Sequence, residues 1–87
     1  MKQRTLTLTN PTGLHARPAA EMVKAAAKFK SSITLEGNGK KADAKSIILV
    51  LGLGLRQDDV ITIRAEGEDE EAAVQLLVEL VKQRFHE

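Results

Sequence analysis

TLTLTNPTGLHARPAAEM, residues 5–22, contains the change of period that decides the fold. Thr5-Leu6-Thr7-Leu8 alternates polar and apolar side chains, the pattern of a strand with one buried face. Asn10-Pro11-Thr12-Gly13 is turn chemistry: Asn opens, Pro presets φ, and Gly closes. From Ala16 the period becomes helical, with Ala19, Met22, Val23 and Ala26 at i, i+3, i+4 and i+7. Alanines at 19, 20, 25, 26 and 27 raise helix propensity and let the helix lie close to a sheet. Lys28 and Lys30 stand near its end, where cations suit the helix dipole.

Pro18 limits where this helix begins. Proline lacks an N–H, and inside a helix it costs about 3 kcal/mol or more. If His15 is the cap, Pro18 is the third helical residue; if Arg17 is the cap, it is the first. The restriction that proline places on its predecessor favours Arg17 as the cap. On both readings His15 stands at or just outside the helix N-terminus.

Working outward, residues 32–36 (Ser-Ile-Thr-Leu-Glu) alternate again. Asn38-Gly39 marks a hairpin, and Lys40–Asp43 is the return strand. Residues 46–54 (Ser-Ile-Ile-Leu-Val-Leu-Gly-Leu-Gly) fit either a buried strand or a short helix capped by Ser46. Two glycines in three positions favour the helix stop. Val60–Glu66 is the last strand, with Ile61, Ile63 and Ala65 on one face. A final helix follows, acidic at Glu68–Glu71 and basic at Lys82 and Arg84, with Val74, Leu77, Val78, Val81 and Phe85 as its apolar stripe. The order β α β β α β α predicts a single α+β domain over residues 1–87, with helices covering one face of a mainly antiparallel sheet.

Composition narrows the function. The chain has 87 residues, net charge +1, 43% hydrophobic and 29% charged residues, and no cysteine. Disulfides, thiolate metal sites and cysteine nucleophiles are excluded. The charge lacks the basic excess of an electrostatic nucleic-acid binder. A base-stacking RNA module needs sheet aromatics, and the chain has two Phe, no Tyr and no Trp, with both Phe on helical patterns. The longest apolar run, Ile47–Leu51, is far short of a membrane span of about 20 residues. The N-terminal MKQRTLTLTN has no signal-like apolar region, so a soluble cytoplasmic protein is expected.

A lone surface histidine is most often only that, but His15 has unusual company. It is a poor cap compared with Ser or Asp. The first amides of the helix, those of Ala16 and Arg17, would be free to bind an anion in the positive end of the dipole. Arg17 adds a guanidinium that fits phosphate oxygens. The same field disfavours imidazolium, so His15 should stay neutral and nucleophilic near pH 7. Together these features suit a histidine that accepts a phosphoryl group. No metal site is expected: the other histidine, His86, is in the C-terminal tail, and no compact cluster accompanies His15.

Residues 13–19, Gly-Leu-His-Ala-Arg-Pro-Ala, resemble the active-site motif of the HPr family, the histidine-containing phosphocarriers of the bacterial phosphotransferase system. The likeness covers nearly the whole chain, including Asn38-Gly39-Lys40, Ala44-Lys45-Ser46, Leu53-Gly54 and Glu66-Gly67-Glu68-Asp69-Glu70. It implies an open-faced β-sandwich, with a four-stranded sheet covered on one face by three helices, and it makes 46–51 a helix. It implies that enzyme I passes a phosphoryl group from phosphoenolpyruvate to Nδ1 of His15, and that this carrier passes it to sugar-specific IIA components. Arg17 matches the family's phosphate-stabilising arginine. No cofactor is implied, and a monomer is expected.

Ser46 matches the serine that an ATP-dependent HPr kinase/phosphorylase modifies in Gram-positive relatives, coupling sugar supply to catabolite repression through a transcription regulator. Those relatives read Lys-Ser-Ile-Met-Gly-Val-Met-Ser-Leu-Gly, and this chain replaces the Met, Gly and Ser positions. Ser46 is a helix cap whether modified or not. Ile47, Ile48 and Leu51 cannot all point inward on two turns, so some should form an exposed apolar patch. In the family this patch, with Ala20 beside it, docks enzyme I and IIA. Lys24, Lys28 and Lys45 would form a basic rim that steers acidic partners. A paralogous carrier in a nitrogen-regulatory or dihydroxyacetone kinase relay would use the same His15 chemistry. The catabolite-repression paralogue Crh, which has Gln at that position, is disfavoured by His15.

Overall fold

The computed structural model describes residues 1–9, 13–14 and 16–84. His15, the turn residues 10–12, Phe85 and His86 lie outside the described residues. The elements are β1 (Lys2–Thr7), α1 (Ala16–Ala26), β2 (Ser32–Gly37), β3 (Lys40–Asp43), α2 (Ile47–Leu51), β4 (Val60–Glu66) and α3 (Glu70–Arg84). The four strands form one sheet in the order β1-β4-β2-β3. All three pairings are antiparallel, where a mainly antiparallel sheet was expected.

Alternation decides which face is buried. Ile33 and Leu35 of β2, Ala42 of β3, and Ile61, Ile63 and Ala65 of β4 point into the core. Leu35, Ile61 and Ile63 are completely enclosed, each contributing about 1.5–3 kcal/mol by burial. On the other face, Thr5 and Thr62 share a hydroxyl hydrogen bond of 3.1 Å. Arg64 Nε donates to Gln3 Oε1 at 2.9 Å, and Arg64 also pairs with Glu36. β1 begins at Lys2 rather than Thr5, because Lys2–Thr7 pairs throughout with Val60–Ala65. Leu8 falls just outside the strand but is wholly buried, its amide donating to the Asp59 carbonyl at 2.9 Å.

α3 packs on β1 and β4, α1 packs on α2 and α3, and α2 meets β3. Ala73, Val74, Leu77, Val78 and Val81 form the buried stripe of α3. In α1 the buried residues are Pro18, Ala19, Met22, Ala25 and Ala26. Val23, assigned to the stripe from sequence, is half-buried and packs against the core, and Ala25 is buried as well. Phe29 lies beyond the end of α1, half-buried against the core, rather than on a helix.

Two loop contacts position the region before α1. Asn38 and Gly39 both have positive φ, 53° and 74°, as a two-residue hairpin turn requires. Asn38 Nδ2 donates to the carbonyls of Leu53 (3.0 Å) and Gly54 (3.2 Å). Leu55 then lies against Gly37, where a Cβ would come within 2.4 Å of its side chain. The hairpin thus fixes residues 53–55.

Candidate functional site

Residues 53–56 in turn hold the stretch that leads to α1. The Leu14 amide donates to the Leu55 carbonyl at 3.1 Å. Gly13 has φ +61°, and a Cβ on it would lie 2.5 Å from Leu55 O and 2.6 Å from Arg56 Cα. Only glycine satisfies both the conformation and the contact. Leu14 is buried, so the chain is anchored one residue before His15.

α1 begins one residue after it. Ala16 is the first helical residue, so Pro18 occupies the third position. The local preference for Arg17 as the cap is overridden, since Pro18 and Ala19 are drawn into the core. Proline at the third position removes no intrahelical bond, because the first N–H groups of a helix have no internal acceptor. Ala16 and Arg17 are exposed, and no acidic residue stands in the first turn. The dipole's positive end and the guanidinium therefore act together in favour of an anion. Ala20 and Lys24 continue the exposed face of α1, and Lys28 is exposed just past its end.

The other half of the candidate surface is α2. Ser46 has extended geometry (φ −117°, ψ 112°), and its Oγ accepts from the Leu49 amide at 3.4 Å, as the expected N-cap. Val50 is buried, and Ile47 is half-buried against the core. Ile48 (78% exposed), Leu49 (52%) and Leu51 (39%) face outward. The apolar patch is therefore Ile48-Leu49-Leu51, with Ile47 serving chiefly as packing. Leu49 was missed from sequence because five residues are too few for a helical period to fix a face. Lys45 is exposed, but its ammonium donates to the Phe29 carbonyl at 2.8 Å, so it braces the exit of α1 as well as adding charge to the rim.

At that exit the polar groups are closed on one another. Asp69 Oδ2 accepts from the Lys30 amide, and Oδ1 from the Ser31 amide, both at 2.9 Å; Oδ1 also accepts from the Ser31 hydroxyl. The Ser31 hydroxyl first, then the Lys30 amide, stabilises the carboxylate and lowers its pKa to about 2. Gly67 lies directly against Ser31, where a Cβ would come within 2.6 Å of its Oγ. Glu70 is also held below the usual carboxylate range, chiefly by its bond to the N-terminal ammonium at 2.9 Å.

Among the described residues no group of three or more His, Cys, Asp or Glu could hold a metal ion, and no helix is long and apolar enough to cross a membrane. A groove of about 520 Å³ between β1 and α3 is lined by Lys2, Arg4, Glu71 and Glu79 among others, none of them a sequence candidate. Among the described candidates, Ala16, Arg17, Ala20, Lys24, Lys45, Ile48 and Leu51 are exposed, an arrangement that a partner's own site could cover.

The structure defines the class as a small α+β protein with an open-faced antiparallel sheet, an arginine-bearing helix start and an exposed apolar helix. The family model described as "PTS HPr component phosphorylation site" matches residues 2–83, and the chain belongs to that family of phosphotransferase-system phosphocarriers. It is 46% identical over 87 residues to the phosphocarrier protein HPr of Xylella fastidiosa, covering 100% of this chain and 98% of that one. A structure of HPr from Thermoanaerobacter tengcongensis superposes with a TM-score of 0.92 at 48% identity, covering 98% of this chain and 96% of the other. The histidine-containing phosphocarrier protein of Mycoplasma gives a TM-score of 0.94 at 34% identity, covering 97% and 96%.

Proposed function

We propose that the chain is the phosphoryl carrier of a sugar phosphotransferase system, loaded on His15 by phospho-enzyme I and unloaded to IIA components. The observation that carries this reading is the start of α1 at Ala16, directly after His15 in the chain, with exposed Arg17 next and no carboxylate in the first turn. In the transfer, the lone pair of Nδ1 attacks phosphorus and a P–N bond forms. The bond to the donor breaks, and its electron pair stays with the donor. Arg17 and the helix-start amides offset the charge on the phosphoryl oxygens. Unloading is the same step reversed onto a IIA acceptor.

Docking is assigned to Ala20 and Lys24 on α1 and to Ile48, Leu49 and Leu51 on α2, with Ile47 supporting the patch from below and Lys45 at its rim. Ser46 is assigned as a regulatory phosphorylation site of an HPr kinase/phosphorylase. A phosphate there would add about two negative charges beside the docking surface and repel acidic partners. Incubation with enzyme I and phosphoenolpyruvate tests the carrier reading. An acid-labile adduct that disappears in His15→Ala is expected; an adduct that persists in that variant would refute it.

A further inference from the structure

We propose that Arg56 supplies a second guanidinium to the phosphoryl group carried by this protein, a role that rests on His15 being the acceptor. The 52–59 loop packs its backbone against Gly13, two residues before His15 in the chain. Arg56 Cα lies 2.6 Å from where a Gly13 Cβ would stand. Adding one carbon–carbon bond places the two Cα atoms within about 4 Å. Gly13 is two residues from His15, a separation the chain spans in at most about 7 Å. An extended arginine reaches about 6–7 Å from its Cα on standard bond lengths, so its guanidinium can meet a phosphoryl group on the histidine.

The backbone of Arg56 is fixed on both sides. Its amide donates to Asp59 Oδ2 at 2.8 Å, and its carbonyl accepts from the Asp59 amide at 3.1 Å. Asp58, at φ 73°, ties the same turn to the residue just after β1 by donating its amide to the Leu8 carbonyl at 2.7 Å. The side chain is exposed, and among the described residues no carboxylate pairs with its guanidinium. Asp58 and Asp59 are the acidic groups nearest in sequence, and the Asp59 carboxylate is occupied by the Arg56 amide. A surface arginine is ordinarily just solvated. This one combines a rigid backbone, direct packing on the glycine that leads to the histidine, and an uncommitted fork whose geometry suits two phosphoryl oxygens.

The test compares Arg56→Lys, Arg56→Ala and Arg56→Glu with the unaltered protein. Two quantities are read: phosphoryl loading from enzyme I, and the titration of the bound phosphoryl group by phosphorus NMR. Loading should fall in the order Arg, Lys, Ala, Glu, by about tenfold at Ala, the size of one charge-assisted contact. The second ionisation of the phosphoryl group should move up in Arg56→Ala, since a nearby cation favours the dianion. Thermal unfolding of the unphosphorylated variants should be nearly unchanged, since the guanidinium makes no hydrogen bond or ion pair to a described residue. Normal loading and an unshifted titration in Arg56→Ala would overturn the role of Arg56 and leave the carrier reading standing. Failure of the unaltered protein to load His15 would overturn both.

Discussion

The two ends of α1 use similar parts to opposite effect. Beyond its exit, the chain is closed by the protein's own side chains: Lys45 takes the Phe29 carbonyl, and Asp69 takes two amides and a hydroxyl. At its start an arginine, exposed small residues and a helix dipole stand with no carboxylate in the first turn. A helix end filled from within holds the fold together. One that carries positive potential, from its dipole and an exposed arginine, favours an external anion. Substitutions at the start should therefore damage transfer and spare the fold, and substitutions at the exit should do the reverse.

The largest effect expected at the start is from Arg17→Ala. It should slow phosphoryl loading about 10- to 100-fold, below the cost of a fully enclosed oxyanion donor, with the unfolding midpoint nearly unchanged by calorimetry. An unfolded Arg17→Ala would make the start as structural as the exit, and the contrast would fail. Gly13→Ala sharpens the point, because Gly13 positions the site but does so through backbone packing. Its Cβ would strike Leu55 O and Arg56 Cα at φ +61°, so a loss of about 1–3 kcal/mol is expected in denaturant titration.

At the exit, Asp69→Asn should lower the unfolding midpoint by several degrees, with loading of His15 unchanged under folding conditions. The dependence on pH has a definite sign. The carboxylate's pKa is depressed from 3.8 to about 2 in the folded protein. Its stabilisation is therefore full above about pH 4 and lost as pH falls through about 2. Between those values the unaltered protein should lose this stability and Asp69→Asn should not; acid titration followed by circular dichroism reads the difference. Ser46→Ala should have the smallest effect, about 0.5 kcal/mol, at the low end for an N-cap because its bond to the Leu49 amide is long.

Local pattern made the framework legible. The switch from alternation at Thr5–Leu8 to a helical period after Ala16, the Asn38-Gly39 hairpin and the acid-to-base gradient of the last helix all depend on neighbours in sequence. The proposal of His15 with Arg17 rests on the same kind of local reading, from their place around the proline that limits the helix start. The links between distant segments were not. Asp69 meets Ser31 across 38 positions, and Arg56 meets Gly13 only because the hairpin at Asn38 holds residues 53 and 54 in place. The exact start of α1 also escaped local rules: the residue before a proline resists helical geometry, but burial of Pro18 and Ala19 set the outcome. Lys45 read as a rim charge because nothing in its surroundings along the chain points to the Phe29 carbonyl.

The central claim is that the start of α1 serves a phosphoryl group on His15. Site mapping by mass spectrometry under non-acidic conditions, after incubation with enzyme I and phosphoenolpyruvate, tests it most directly. One phosphoryl group on His15, labile in acid and absent from His15→Ala, is the predicted result. Phosphate found elsewhere, or an unloaded protein in the presence of active enzyme I, would contradict it.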